Sequence, residues 1–364
     1  MLNDLSTFRK DLHQIPELGR LEFKTKNYIL KEAEPLDCVI EDVGDTGIVL
    51  FFDNQMPHTI GFRADMDALP LTEATGLDFS STHPGKMHAC GHDGHMAILL
   101  GLAHYLHEHL HTLTKNVVLI FQPSEENEAG ASIIADSGIL EKYHVEKLFG
   151  LHLWPGLEKE ALYSLKGAMM AAGSELDLVI RGKSAHVASA HEGIDTLEVA
   201  CRLLTDFYDL EESLPQDLLR LLKFGSFHSG SVRNIISDET VIKGTLRSFD
   251  PTLHLWFKSQ IRQLAQKYAD IYNCEIEINY YDGYEAVIND APLFDRALGL
   301  IPDLRSLPKP VMQSEDFSLY QKICPTLFFF LGIGETMPLH HPAFDFDMDV
   351  LQKGLDYFIR LLDI

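Results

Sequence analysis

The chain has 364 residues, 46% of them hydrophobic and 23% charged, which is the composition of an ordinary globular protein with room for two domains. With 30 basic and 54 acidic side chains the formal charge is -24. Such a surface repels phosphate backbones and anionic lipid, which argues against nucleic acid or membrane as partner. The five cysteines (Cys38, Cys90, Cys201, Cys274, Cys324) are scattered and lack a Cys-x-x-Cys pair, which argues against a disulfide framework or a structural zinc ribbon.

The amino terminus shows no basic segment followed by an apolar run, and the longest apolar stretch, "TLFFFLGI", is far too short to span a bilayer. The expected compartment is the reducing cytoplasm. Residues 5–34 read as a helix, an extended break around "IPELG", and a second helix. The runs "TGIVLFF", "HTIGFRA", "NVVLIF", "KLFGLHL" and "PTLFFFLGI" are of strand length and apolar on nearly every residue, as in strands buried on both faces of a helix-covered, mostly parallel sheet. Ile98, Leu102, Leu106 and Leu110, four residues apart, predict an amphipathic helix packed on that sheet.

The rhythm changes near residue 173. "SELDLVIRG" alternates like a half-exposed strand, and a helix over about 193–211 follows. Strand patterns in "LLKFGSFHSG" and "ETVIKGTLRSF", a helix over about 251–272, and "CEIEINYYDG" complete a β-α-β-β-α-β order that suits a small ferredoxin-like domain. The expected fold is α/β. A catalytic domain over 1–170 and 286–364 is interrupted by an inserted ferredoxin-like lid or dimerisation domain over 171–285.

Polar residues fall at the ends of the apolar strands. "HTIGFRA" runs into Asp65 and Asp67, and "NVVLIF" into Glu125 and Glu126; His152 lies in "KLFGLHL", and His340 and His341 follow "PTLFFFLGI". Ligand sites in parallel sheets gather at the carboxyl ends of strands, so these groups should meet on one edge. The stretch "MHACGHDGHM" adds His88, Cys90, His92 and His95. Cysteine, histidine and glutamate together make a ligand field that suits zinc, with manganese or cobalt as alternatives. Taken singly, Cys90 could be a buried small hydrophobe or a nucleophile beside a histidine, and Glu125–Glu126 a helix start. His104, His107, His109 and His111 read as a solvated helix face and its end.

The motifs "FRADMDALPLTE", "MHACGHDGHMA", "FQPSEE", "GLHLWP", "GTLRSFD", "SEDFS" and "LHHP" occur in the order found in one metallo-amidohydrolase family, and nearly the whole chain resembles it. The family includes hippurate hydrolases, auxin-conjugate hydrolases, N-acyl-amino-acid deacylases and N-acetyldiaminopimelate deacetylases. The resemblance implies two divalent metal ions (Zn, Mn or Co) and a lid that mediates homodimer formation. It implies Cys90 as the ligand bridging both metals, His92 and His152 completing one site, and Glu126 and His340 the other. Glu125 matches the general base, His186 a histidine that reaches a dimer partner's active site, and Asn234 and Arg247 the positions that bind the substrate carboxylate.

Some positions depart from the pattern. "NEAGA" replaces a glycine-rich loop after the glutamates, and a proline usual near "HVASAHEG" is missing. Asp65 stands where distant relatives carry a histidine ligand, whose place His92 would take. The expected reaction is hydrolysis of an N-acyl, most simply N-acetyl, amino acid, with N-acetyldiaminopimelate a candidate substrate. A dipeptidase or carboxypeptidase on the same centre and a catalytically silent amino-acid-binding protein are the alternatives.

Overall fold

The computed structural model describes residues 2–127 and 129–364. The chain divides into two compact units, one of Met1–Met169, Ile288–Pro310 and Asp316–Ile364, the other of Met170–Val287 and Val311–Glu315. The chain first passes through α1 (Leu2–His13), α2 (Phe23–Ala33), β1 (Val39–Val43), β2 (Gly47–Phe52), β3 (Thr59–Asp65) and α3 (His92–His109). It continues through β4 (Asn116–Gln122), the short helices α4 (Gly130–Asp136) and α5 (Ile139–Lys142), β5 (Val145–Trp154), β6 (Leu162–Ser164) and β7 (Gly167–Met170). Next come β8 (Ala172–Arg181), α6 (Thr196–Glu212), β9 (Arg220–Ser229), β10 (Glu239–Ser248), α7 (Pro251–Tyr272) and β11 (Glu275–Asp282). The chain ends through β12 (Val287–Asn289), α8 (Ala291–Leu300), β13 (Arg305–Ser306), β14 (Thr326–Gly332) and α9 (Asp349–Leu361).

The first unit is built on an eight-stranded sheet of order β1-β2-β4-β3-β5-β14-β6-β13. Its centre, β4-β3-β5-β14, is parallel. Every residue of β2, β3, β4 and β14 is buried, as expected where helices cover both faces. The edge departs from the parallel pattern. Only the turn Gly44–Thr46 joins β1 to β2, too short for a crossover, so that pair is antiparallel, and β2 is antiparallel to β4 as well.

Helix α3 also differs from the amphipathic expectation. His92 to Ala103, and Leu106, are all buried, and Leu110 falls beyond its end in a 3₁₀ turn. Its outer face is covered by α1 and α9, which approach closely because Gly101 and Gly354 leave room. A Cβ on Gly101 would lie 2.4 Å from Leu5 Cδ2, and one on Gly354 2.5 Å from Ile98 Cδ1. Packed on every side, these first turns need no polar face; beyond Ala103 the helix is amphipathic as expected, with Leu106 buried and His107 and Glu108 exposed.

The second unit is a four-stranded antiparallel sheet of order β11-β8-β10-β9 carrying α6 and α7. Leu176, Leu178 and Ile180 of β8 and Ile242 and Leu246 of β10 form its core with Val199, Leu203 and Phe207 of α6 and Phe257 and Ile261 of α7. The alternate residues carry charge pairs such as Lys243–Asp177, at 2.9 Å. Both helices start on aspartate caps: Asp195 accepts from Leu197 N–H, and Asp250 from Thr252 N–H ahead of α7's leading Pro251.

Candidate metal centre

The strand ends set the site. Cys90 reaches it through Gly91, whose φ of +87° is a left-handed conformation that only glycine adopts without cost, and α3 begins immediately afterwards with His92. Cys90, His92 and His152 form one group of potential ligand atoms, and Cys90, Glu126 and His340 a second; within each, all atoms lie within 4.8 Å of one another. Cys90 is common to both.

The ring hydrogen bonds decide which nitrogens are free. His92 Nδ1 lies 2.8 Å from the Asp67 carbonyl oxygen and donates to it. That leaves Nε2 buried without a hydrogen-bond partner, 4.0 Å from Glu126 Oε1. His152 Nδ1 donates to the Leu153 carbonyl at 2.7 Å, which turns the Nε2 lone pair toward Cys90 Sγ, 3.5 Å away. His340, held at φ +63°, brings its Nε2 to 3.2 Å from Glu126 Oε1. A thiol, three imidazole nitrogens and a carboxylate oxygen thus converge, and once their protons leave this donor set fits a pair of divalent cations.

Electrostatics agree with that fit. Burial, together with the negative charges of Glu126, Glu125 and Asp65, pushes the Cys90 thiol well above its usual range. Burial keeps the His152 imidazole neutral, well below its ordinary value. Burial would also lower His92, but Asp65, Asp67 and Glu126 outweigh it and raise its pKa to about 10. The hydrogen bond to Glu126 raises His340 too, so in the absence of cations protons sit on Cys90 and His92 and are favoured on His340, and metal binding must displace them.

A frame of buried polar groups holds these side chains. The Asp67 carboxylate accepts the backbone N–H groups of Glu125 and Glu126, each at 3.0 Å, and so fixes the glutamate turn. Glu22 accepts from Ser124 N–H at 2.8 Å, and Gly130 N–H closes the turn on the Ser124 carbonyl at 2.9 Å. Asp65 accepts from His95 Nδ1 at 2.6 Å and from Arg63 at 2.7 Å. Asp93 is held by His13 Nδ1 at 2.7 Å and Arg9 Nε at 3.3 Å. Nothing in the sequence singles out Arg9, His13 or Glu22, because each meets its partner only after folding. Asp65 and Asp67 were visible as a strand end, though not as clamps. His341, beside His340, accepts from its own Ala343 N–H at 3.1 Å.

The remaining candidates lie in the second unit. His186 is exposed and accepts from Ala188 N–H at 3.2 Å; it pairs in an isolated bridge with Ile235, and Val187 N–H donates to the Asn234 carbonyl at 3.1 Å. His186 and Asn234 therefore share one end of the sheet, beside the start of β10. Arg247 sits near the other end of β10, opposite Gly173, eight residues beyond Glu239; at the rise of a strand that is about 26 Å. Its guanidinium lies 3.2 Å from Glu175, over a glycine whose Cβ would come within 2.1 Å of Arg247 Nη1.

A helix-covered, mostly parallel sheet bearing these donors at its strand ends is the framework of a metal-dependent amidohydrolase. Residues 61–364 match Peptidase family M20/M25/M40, and the chain belongs to that family. It is 33% identical to an N-acetyldiaminopimelate deacetylase of Streptococcus sanguinis strain SK36, over 98% of this chain and 99% of that one. It is 34% identical to the protein of that name from Streptococcus thermophilus strain LMD-9, over 94% and 93% of the two chains. A crystal structure of a dinuclear metal-binding M20 peptidase from Bacillus subtilis superposes with a TM-score of 0.88 at 30% identity, covering 99% of this chain and 97% of the other. No helix among the described residues is long and apolar enough to cross a membrane.

Proposed function

We propose that this amidohydrolase removes the acyl group, an acetyl group foremost, from an N-acyl amino acid, and that N-acetyldiaminopimelate is its substrate. The observation that carries the reading is the pair of donor triads sharing Cys90 beside the clamped Glu125–Glu126 turn. The relatives' names supply the substrate. Cys90 would bridge two zinc, manganese or cobalt ions, with His92 and His152 on one and Glu126 and His340 on the other. Bound there, the pair supplies Lewis-acid polarisation of the amide carbonyl and an attacking water acidic enough to ionise near neutral pH.

Glu125 is the general base. Its carboxylate accepts the proton of the attacking water and delivers it to the leaving nitrogen, while Asp67 holds its backbone in place. Arg247 would bind the amino-acid carboxylate in two-pronged fashion, and Asn234, which shares the far end of the sheet with His186, would reach the same carboxylate from the lid of a second copy of the chain. His186 would stabilise the developing oxyanion. We read the βαββαβ unit as a ferredoxin-like lid and the molecule as a cytoplasmic homodimer. The roughly 26 Å between the His186 end of the sheet and Arg247 supports the homodimer, because one small substrate cannot touch both ends of one lid.

The test is to assay metal-loaded protein for acetate release from N-acetyldiaminopimelate, N-acetylmethionine and N-acetylcysteine, for benzoate release from hippurate, and for cleavage of unblocked dipeptides. Turnover of N-acetyldiaminopimelate well above the others is expected. Preference for free dipeptides would overturn the deacylase reading in favour of a dipeptidase, and metal binding without any turnover would favour a silent binding protein. Light scattering should give twice the 41.0 kDa mass of the chain.

A further inference from the structure

We propose that His95 is a positioning residue for the His152 ligand and acts through the backbone of Leu153. The inference rests on the reading of Cys90, His92 and His152 as one metal site. His95 is fully enclosed, and its type and place make it look like a ligand, since it shares a group of potential ligand atoms with Asp65 and His92. Both of its ring nitrogens are already engaged. Leu153 N–H donates to His95 Nε2 at 2.9 Å, so Nε2 carries no proton and has no lone pair to spare. The ring proton is therefore on Nδ1, which donates to Asp65 Oδ1 at 2.6 Å. Asp65 is fixed in turn by Arg63 at 2.7 Å, and Arg63 by Asp316 and Gln122, each at 2.8 Å.

Leu153 is thus gripped on both of its peptide groups. Its N–H is held by His95, and its C=O accepts from His152 Nδ1 at 2.7 Å. The two imidazoles stand 4.6 Å apart at 65° to each other. If the Leu153 N–H bond is lost, the Leu153 peptide, which lies beyond the β3–β5 pairing that ends at Gly150, can tilt even with Trp154 held to β14, and the carbonyl that fixes the His152 tautomer moves with it. His152 Nε2 then no longer faces Cys90 Sγ. His95 thereby sets the affinity of one metal site without touching the metal.

Two substitutions separate the two hydrogen bonds. His95→Gln offers an acceptor near the place of Nε2, whereas His95→Asn offers a donor near Nδ1 and nothing for Leu153 N–H. Purified metal-free proteins would be titrated with Zn²⁺ against a chelating dye and with Co²⁺ by absorption. The wild type should take up two equivalents. His95→Asn should weaken one equivalent about 10–100-fold and leave the other unchanged, and His95→Gln should recover most of the loss. Two wild-type equivalents in His95→Asn would overturn the inference. So would equal weakening of both equivalents together with a lower melting temperature of the metal-free protein, the mark of a merely structural role. A wild type binding fewer than two ions would instead overturn the two-site reading beneath it. Independently of any variant, long-range ¹H–¹⁵N spectra of the wild type should show His95 as the Nδ1–H tautomer, and an Nε2–H tautomer sinks the proposal.

Discussion

We assign Glu125 and Glu126 different tasks: both N–H groups are held by Asp67, but Glu126 joins the Cys90–His340 triad, whereas Glu125 comes within reach of His92 and Glu126. Replacing Glu125 with Gln keeps that clamp and removes only the base. Turnover should fall on the order of 10²- to 10⁴-fold with metal content unchanged, measured by steady-state kinetics beside metal analysis. Cys90 should behave in the opposite way. Because it belongs to both triads, Cys90→Ser should reduce affinity for both ions rather than one. The protons on Cys90 and His92 add a further expectation. Cys90 is pushed well above its usual range, His92 is raised to about 10, and the hydrogen bond to Glu126 raises His340 as well, so loading the site at pH 7 should release two protons or more. Metal affinity should accordingly rise with pH. Titration calorimetry in buffers of different ionisation enthalpy counts the protons, and none released would contradict the assignment.

Among the elements, the glutamate turn is the most tightly built. Gly130 N–H closes it, and a Cβ on Gly130 would lie 1.5 Å from the Pro123 carbonyl oxygen, a backbone atom that cannot step aside. Gly130→Ala should therefore cost about 3 kcal/mol of stability, the upper end for overpacking, read from denaturant melts, and lower kcat by displacing Glu125. This glycine stands within "NEAGA", the loop that departs from the glycine-rich pattern of the family. In α3, the four-residue spacing of Ile98, Leu102 and Leu106 correctly marked a helix, but the setting only of its last turns. Burial on every side follows from α1 and α9, which arrive from the two ends of the chain.

Across the whole molecule, the amino-terminal helix is tied to the metal centre by a buried charge cluster. Burial alone would lower His13, but the charge and hydrogen bond of Asp93, with Glu73, raise its pKa from 6.5 to about 9. Glu73, which burial would raise, is brought down to about 2 by hydrogen bonds from His13, Thr75 and Ser81 N–H. The signs follow from linkage. The His13 contribution, about 3 kcal/mol, is complete below pH 6.5 and disappears as pH rises through about 9. The Glu73 contribution is present above its ordinary value of 4.5 and is lost as pH falls toward about 2. Metal-free wild type should therefore lose its stability advantage over His13→Gln between about pH 6.5 and 9. Thermal melts across that range check this, and a constant difference would refute it.

The sequence by itself determined the α/β class, the strands buried on both faces, and the placing of Asp65, Glu125, His152 and His340 at or just beyond strand ends. Apolar periodicity and motif order are local properties, and they survive in the chain without its fold. The alternation of "SELDLVIRG" likewise marked a half-exposed strand, since one face of β8 packs on α6 and α7 and the other carries charge. Only the tertiary structure decided which imidazole nitrogens are free, because a tautomer is set by partners distant in sequence: Asp67 for His92, Asp65 and Leu153 for His95. Only the tertiary structure decided that Cys90 lies within reach of both His152 and Glu126, 62 and 36 residues away in sequence. In "MHACGHDGHM" the sequence offered three histidines of equal chemical standing. His92 and His95 diverge through the hydrogen bonds that Asp67, Asp65 and Leu153 bring to them, whereas His88 is buried with neither ring nitrogen bonded, and those settings exist only once the sheet has closed around the helix.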